Sequence, residues 1–410
     1  MSIAQAPSWT GHARGSRAYG RLLGALFCAG VATFAQLYSP QAVLPLISAD
    51  LHIGAAAAAL TISASTVGLA VGVIPWSTLA DRIGRVRAMS LSVIVATAVG
   101  LLVPFAPTYE LLLAGRFVEG LVVGGVPAIA IAYLTEEIEP AHAARAAGTF
   151  VAGTTIGGLV GRLVASPVAE FAGWRVGVVT VAVVCALAAA CFVKLAPQPR
   201  GFVPAGLSGP NPEGSLGHRL LANLRSLRQL TLFAQAFLLM GGFVALYNFL
   251  GFRLTGAPFS LPPYLVSLVF VAYLAGTWAS SRAGAEATRF GRKRVLLASI
   301  AVMAAGVAIT VSDNLFAVLA GLLIATAGFF GAHSIASGWT GQSAPAGRAQ
   351  ASSLYNLFYY AGSSVIGWFG GVAYDSYGWT AVAATILVLT ALAAAAAARV
   401  LPDDRADRLG

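Results

Sequence analysis

Apolar residues fill twelve stretches along the chain, and polar residues collect in the short segments between them. About 20 consecutive apolar residues are needed for a helix to cross a bilayer. The pattern therefore predicts twelve membrane-spanning helices, called spans one to twelve below. Their predicted bounds are 21–40, 55–80, 88–106, 109–134, 146–169, 175–194, 229–252, 262–281, 293–311, 315–337, 349–373 and 379–400.

One long connector separates the first six spans from the last six. It covers residues 195–228 and contains five prolines, which is typical of a linker. We therefore predict an N-terminal six-helix bundle at 1–194, a cytoplasmic linker at 195–228 and a C-terminal six-helix bundle at 229–410.

Composition excludes a soluble domain. Of the 410 residues, 58% are hydrophobic and only 10% are charged, whereas soluble proteins carry roughly 25% charged residues. The net charge of +10 does not indicate nucleic-acid binding, because the charges lie between the spans. Cys28, Cys185 and Cys191 lie in apolar stretches and are interpreted as small buried residues, not as a disulfide or metal site.

Basic residues predict the orientation. If both termini are cytoplasmic, nearly all of the 25 Lys and Arg residues fall on the cytoplasmic side, as the positive-inside rule requires. The predicted class is thus an all-α protein of the cytoplasmic membrane with both termini inside.

The two halves of the chain repeat each other. The segment Asp81–Arg85 aligns with Thr288–Arg292 at an offset of 207 residues. Glu170 and Trp174 align with Asp375 and Trp379 at an offset of 205. Two matches at nearly the same offset predict two parallel repeats of six spans each. In folds of this kind, substrate sites lie near the middle of the bilayer.

The loop after span two resembles the signature of the major facilitator superfamily. The sequence Leu79-Ala80-Asp81-Arg82-Ile83-Gly84-Arg85 carries the match, and Gly291, Arg292 and Lys293 carry it in the second half. Within the superfamily, "YSPQAVLPL", "YLTEEIEP" and "SSLYNLFYYAGSS" resemble bacterial inner-membrane exporters of the YnfM type. The resemblance implies a twelve-helix transporter that works by alternating access.

The same resemblance implies that the two repeated loops are gates. Asp81 would pair with basic groups in one state and release them when the two halves of the protein move. The alternative is that these loops only set the membrane topology, which would account for the arginines but not for Asp81. The implied gating residues are Asp81, Arg82, Gly84, Arg85, Arg289, Gly291 and Arg292.

A glycine series on span five resembles the antiporter signature of the superfamily. Gly158 replaces its proline, and Arg162 replaces its last glycine. The residues expected to allow close helix packing are Gly153, Gly157, Gly158 and Gly161.

Two charges interrupt span four. Arg116 and Glu119 are three residues apart and therefore share one helix face, where they can pair. Charges inside a membrane are costly and usually functional. The family places an arginine linked to proton transfer here, with Gln in the position of Glu119. We expect either a proton site at Glu119 tuned by Arg116, or a static pair that holds span four.

Two further titratable or charged residues lie within spans. Arg162 is predicted at the depth of Arg116, so that two arginines share Glu119 and favour an anionic substrate; alternatively, Arg162 reaches the outer interface. His333 on span ten suits proton coupling or helix packing.

Family resemblance implies that spans one, four, seven and ten line the substrate cavity. The nominated polar and aromatic residues also fit a simple role in packing or in interfacial belts. They are Gln36, Tyr38, Tyr247, Asn248, Tyr355, Asn356 and Tyr359.

The predicted function is secondary active transport. The sequence contains no phosphate-binding loop, no zinc-ligand spacing and no catalytic arrangement, so we expect no cofactor, no metal and no enzyme activity. We expect a monomer that exports small amphipathic or anionic compounds in exchange for protons. A proton symporter importing an organic acid or sugar, and a transport-dead sensor, are the alternatives.

Overall fold

The computed structural model describes residues 9–202 and 215–403. These residues form helices and one isolated parallel bridge, between His12 and Ile138. Part of the predicted linker and the end of the C-terminal tail, including the prolines at 204, 210 and 212 and the arginines at 405 and 408, lie outside the described residues.

Helices of the first half follow the predicted spans closely. Span four is two helices that meet at Gly124, and a short helix, Leu44–Leu51, follows span one after a 3-10 turn. The spans are Arg17–Tyr38, Ala55–Ile83, Arg85–Leu102, Tyr109–Val123 with Gly125–Glu137, Pro140–Ala172 and Trp174–Leu195.

Helices of the second half begin after a linker helix, Leu216–Arg225. Span eight contains a 3-10 segment, and spans eleven and twelve form one helical stretch interrupted at Gly378. The ranges are Leu227–Thr255, Pro263–Val266 with Ser267–Ala272 and Tyr273–Phe290, Arg292–Ile309, Leu315–Gln342 and Arg348–Val400.

Ten helical stretches among the described residues are long and apolar enough to cross a membrane. The Arg348–Val400 stretch contains two spans. Arg292–Ile309 is not among the ten, since it begins with three basic residues, and the apolar remainder of this helix is 15 residues long. Every predicted span therefore corresponds to a helix, and the predicted all-α fold is confirmed.

Polar side chains mark where several spans begin. The side chains of Ser16, Thr108, Ser226 and Asn314 accept hydrogen bonds from backbone N–H groups in the first turns of spans one, four, seven and ten. A helix leaves its first N–H groups unpaired, so these caps are stabilising.

Glycines mark where repeated spans end. Gly84 and Gly291, in the repeated loops, have φ values of 95° and 89°. Gly173 and Gly378, between spans five and six and between eleven and twelve, have φ values of 85° and 69°. Residues with a Cβ rarely adopt these φ values, so glycine is favoured at all four positions. The two repeats therefore have glycine at equivalent span ends.

Contacts divide the chain into two compact units. Of the described residues, the first unit contains 9–39, 67–168 and 175–202, and the second contains 40–66, 169–174 and 215–403. The second unit thus includes the predicted outer ends of spans one, two and five. The bundle boundaries at 194 and 229 remain a prediction.

Candidate functional site

The charged pair of span four lies inside the first unit. Arg116 and Glu119 are each only 2% exposed. The guanidinium Nη1 donates to Glu119 Oε2 at 2.5 Å, as the i, i+3 spacing allows. Its Nη2 donates to the Leu37 carbonyl at 2.6 Å, so span four is tied to the end of span one.

Gln36 on span one is the second partner of Glu119. Its side chain hydrogen-bonds the Glu119 carboxylate. Its amide Nε2 also donates to the Ala96 carbonyl of span three at 2.5 Å. Three spans therefore meet at one carboxylate, and Gln36 is 3% exposed.

Gly100 on span three makes room for this contact. A Cβ at this position would overlap the Gln36 amide and would lie 3.0 Å from Glu119 Oε1. Sequence reasoning missed Gly100, because one glycine in a span with many small residues gives no signal of its own. The site requires a residue without a side chain here.

Arg162 lies on span five and is 3% exposed. Its Nη1 donates to the Gly158 carbonyl at 2.7 Å, and its guanidinium carbon lies 4.5 Å from the centre of the Tyr38 ring. The sharing of Glu119 by both arginines stays a prediction, since the contacts described for Glu119 come from Arg116 and Gln36.

A small pocket lies beside Gln36, with room for about one water molecule. Thr33, Ser92 and Thr97 supply hydroxyls to its wall, together with the Gln36 side chain. Polar walls and sufficient room are what a buried water requires. The pocket can therefore hold about one water molecule beside Gln36, the residue that binds Glu119.

Three of the span-five glycines face span one. Cβ atoms on Gly153, Gly157 and Gly161 would overlap the backbone at Phe27, Val31 and Ala35, respectively. Gly158 differs, because an added Cβ would meet only the Arg162 side chain, at 3.0 Å.

The second unit contains an aromatic group around His333. Tyr355 Oη lies 3.0 Å from His333 Nδ1. The Tyr359 ring lies 5.0 Å from the His333 ring, and Phe329 stacks on the imidazole at 5.8 Å. The sequence nominated His333 and both tyrosines separately, and the structure brings them together.

Span seven supplies two nominated residues to the same unit. Tyr247 Oη lies 2.7 Å from Thr326 Oγ1. Asn248 Oδ1 accepts from Gln41 Nε2 at 2.6 Å, whereas its own Nδ2 is buried without a hydrogen-bond partner among the described residues. Gln41 was not foreseen. Asn356 is exposed on span eleven.

The first repeated loop carries an ionic network. Arg85 pairs with Asp81 and donates to both carboxylate oxygens of Glu136, at 2.8–3.2 Å. Glu136, at the end of span four, was not nominated, although "YLTEEIEP" contains it. Arg82 is exposed, and Gly84 forms the turn.

The second repeated loop has different partners. Arg292 Nη1 donates to Gln342 Oε1 at 2.8 Å and lies over the Trp339 ring. Arg289 lies over the Phe290 ring, and Gly291 forms the turn. Thr288 takes the position of Asp81 in this loop, and the Arg292 contact with Gln342 is to an amide.

The segment before span one covers the same end of span four. The His12 N–H donates to the Glu137 carbonyl at 2.7 Å, and Arg200 and Gly201 N–H groups donate to Glu137 Oε1 at 2.6 Å. Burial, together with the nearby Arg200 charge, lowers the pKa of His12, although Glu137 Oε2 lies 3.9 Å from its Nε2.

The described residues contain no group of three or more His, Cys, Asp or Glu side chains that could hold a metal ion. Apolar helices of membrane-spanning length surround a buried ion pair and further buried polar groups. This combination defines a polytopic membrane protein with ionisable groups inside its bundle, the class that includes secondary transporters.

Comparison with known proteins identifies the family. The profile of the Major Facilitator Superfamily matches residues 26–288 and 254–410. The inner membrane transport protein YnfM of Escherichia coli is 38% identical over 381 residues, covering 93% of this chain and 90% of its own. The uncharacterized MFS-type transporter YybF of Bacillus subtilis is 35% identical, covering 92% and 93%. The chain belongs to the Major Facilitator Superfamily.

Solved structures show the same fold. A bacterial homologue of the human lysosomal transporter Spinster aligns with a TM-score of 0.76 at 17% identity, covering 94% of this chain and 97% of its own. A mutant of the nucleoside transporter NupG aligns with a TM-score of 0.74 at 15% identity, covering 93% and 100%. The chain is thus a multi-pass membrane transporter and not an enzyme, since its relatives are transporters.

Proposed function

We propose that this transporter exports small amphipathic or anionic compounds in exchange for protons, by alternating access. It would act as a monomer in the bacterial inner membrane with both termini in the cytoplasm. The name of the E. coli relative, an inner membrane transport protein, supports that location.

The observation that carries the proposal is the environment of Glu119. Its carboxylate is buried on span four, and both Arg116 and Gln36 bind it. A buried carboxylate keeps its charge only while such partners remain in place. A movement of span one or span four that separates them would favour proton uptake, which couples conformation to protonation.

Residues near this pair fit the proposed substrate class. Arg162 and Tyr38 stack beside the end of span one that holds Arg116. An arginine beside an aromatic ring can receive both an anionic group and an apolar ring. In the second unit, His333, Tyr355 and Tyr359 provide a further aromatic surface for an amphipathic compound.

The loop contacts fit the proposed gate. Arg85 bridges the end of span two to the end of span four through Asp81 and Glu136. These side chains are only partly buried, so the pairs are individually weak and can exchange partners. We propose that they break and reform as the cytoplasmic side opens and closes.

Direction and substrate are tested together. The purified protein is screened for thermal stabilisation by a panel of organic anions, sugars and aromatic dyes, and each hit is then followed in cells. Cells that lack the transporter should retain more of an exported compound than cells that overproduce it. Lower retention in the cells that lack the transporter would show import, and equal retention of every stabilising compound in the two kinds of cell would contradict export.

A further inference from the structure

Two carboxylates at the predicted outer end of the second unit bind the backbone of other spans. Asp375, near the end of span eleven, accepts hydrogen bonds from the N–H groups of Ala55 at 2.8 Å and Ala56 at 3.0 Å, where span two begins. Glu170, near the end of span five, accepts from the N–H of Tyr264 at 3.0 Å, where span eight begins.

These two acids are equivalent in the repeats. Glu170 and Asp375 align at the same 205-residue offset as the tryptophans that follow them. Spans two and eight are equivalent as well. Each repeat therefore places an acid on the first turn of the second span of the other repeat. The recurrence of one contact at matching positions in both repeats favours a shared role.

Chemistry explains why acids suit these positions. The first N–H groups of a helix have no partner within the helix, and the positive end of its dipole attracts an anion. Asp375 thus caps span two from a different span. Asp375 is exposed and Glu170 is partly exposed, so water competes with both contacts. Contacts of this strength can form and break in each transport cycle.

Small residues line the contact between spans two and eleven, inward from Asp375. A Cβ on Gly371 would overlap the Ala56 backbone, and a Cβ on Gly367 would lie 3.7 Å from Ser63 Oγ. Ser63 Oγ donates to the Ser364 carbonyl at 3.1 Å. Spans two and eleven are therefore in close contact over about two helical turns, and Asp375 lies at the outer end of that contact.

We propose that Asp375 and Glu170 are reciprocal outer latches. They hold the beginnings of spans two and eight against spans eleven and five, and they release them when the predicted outer side opens. The inference rests on the proposed alternating access, but not on the proton chemistry of Glu119. Both acids are positioning residues, because they act through the spans that they hold.

Cysteine accessibility in intact cells tests the latches without any substrate. Ser63→Cys is introduced into a cysteine-free background, made by Cys28→Ser, Cys185→Ala and Cys191→Ser. We measure its rate of reaction with a membrane-impermeant maleimide. Replacing both latch acids with Ala should increase the rate about tenfold, since each helix cap of this kind contributes a several-fold stabilisation.

Two milder variants separate the latch from a general loss of structure. Asp375→Asn keeps one acceptor oxygen and should give an intermediate rate. Gly54→Ala keeps the acid, but its Cβ would lie 2.7 Å from Asp375 Oδ2, so it should also increase the rate. Both variants are made in the same cysteine-free background, and their melting temperatures are compared.

Glu110→Ala is the matched control, because Glu110 is another exposed acid at the same predicted side, in the first turn of span four. Labelling of Ser312→Cys, in the loop before span ten, reports on which side of the membrane the predicted outer end lies. If Ser312→Cys is labelled only in inverted vesicles, the labelling rates of Ser63→Cys are compared in inverted vesicles instead of intact cells. Unchanged labelling of the Ser63→Cys reporter when both latch acids are Ala, or an equal increase with Glu110→Ala, would overturn the latch. Neither result would affect the proposal for Glu119.

Discussion

Gly100 leaves the space in which Gln36 and Glu119 meet, because it has no side chain. Gln36 and Glu119 occupy the space that a Cβ would fill, and each is almost fully buried. Gln36 also bonds to span three, so its position is set from two sides. The orientation of the amide that binds Glu119 therefore depends on a glycine of a third span.

Gly100→Ala should weaken coupled transport by about tenfold. The added Cβ displaces the Gln36 amide, and a hydrogen bond to a charged group contributes about 1.5–3 kcal/mol. The measurement is proton movement driven by a substrate gradient in inside-out vesicles. Gly20→Ala is the control, since a Cβ there meets nothing within 4 Å.

The double variant Gly100→Ala, Gln36→Ala separates positioning from packing. Removing the longer side chain relieves the overlap, so the melting temperature should recover while coupling stays low. Recovery of coupling together with stability would show that Gln36 only fills space. Normal coupling in Gly100→Ala alone would contradict the assigned role of the amide.

At the scale of elements, the contact between spans one and five depends on glycines at every fourth position. Gly153, Gly157 and Gly161 allow backbone contact that any side chain would prevent. Gly157 is the clearest case, because its added Cβ would lie 2.6 Å from Val31 Cα. A backbone atom cannot rotate away as a side chain can.

Gly157→Ala should therefore destabilise the protein by about 1–3 kcal/mol, the usual cost of overpacking. The measurement is thermal unfolding in detergent. Gly148→Ala, on the same helix, should have a melting temperature equal to or above that of the wild type, because a Cβ there meets nothing and Ala favours helix. Equal melting temperatures for the two variants would contradict the close contact.

Hydropathy was sufficient to predict the elements and most of their ends. The apolar run of span six was predicted at 175–194 and observed at Trp174–Leu195. The short helices Leu44–Leu51 and Leu216–Arg225 were missed, since neither is long enough to give a membrane-spanning signal. The junction at Gly124 was also missed, because a single glycine does not interrupt an apolar pattern.

Site residues were predictable where composition makes them unusual. Arg116 and Glu119 stand out because charges are rare within spans, and their spacing predicts the shared face. Gln36 was nominated through the family resemblance alone. Gly100 could not be found in this way, because 46 residues of the chain are glycine. Glu136 and Gln41 lie at the ends of spans, where a polar residue is not unusual.

At the scale of the whole molecule, the contact units differ from the predicted bundles. Residues 40–66 and 169–174 group with the second unit, although they precede the linker in sequence. Hydropathy shows that a span exists but not which neighbour its end contacts. Under the proposed alternating access those contacts would also change, so a sequence pattern does not specify them for one state.

The central claim is that Glu119 carries the proton that drives transport. The direct measurement compares two activities of Glu119→Gln in vesicles, using a compound found in the thermal screen. Counterflow exchanges labelled for unlabelled compound, and its exchange step needs no net proton transfer, whereas accumulation against a gradient requires an imposed pH difference. Gln resembles Glu in shape and can still hydrogen-bond Arg116.

We predict that Glu119→Gln retains counterflow and loses accumulation driven by the pH difference by at least about tenfold, since the amide cannot take up a transported proton. Glu119→Asp, which keeps the acid, should retain part of both activities. Normal pH-driven accumulation in Glu119→Gln would contradict the account, and loss of counterflow and accumulation together would leave Arg116 and Glu119 as a structural pair.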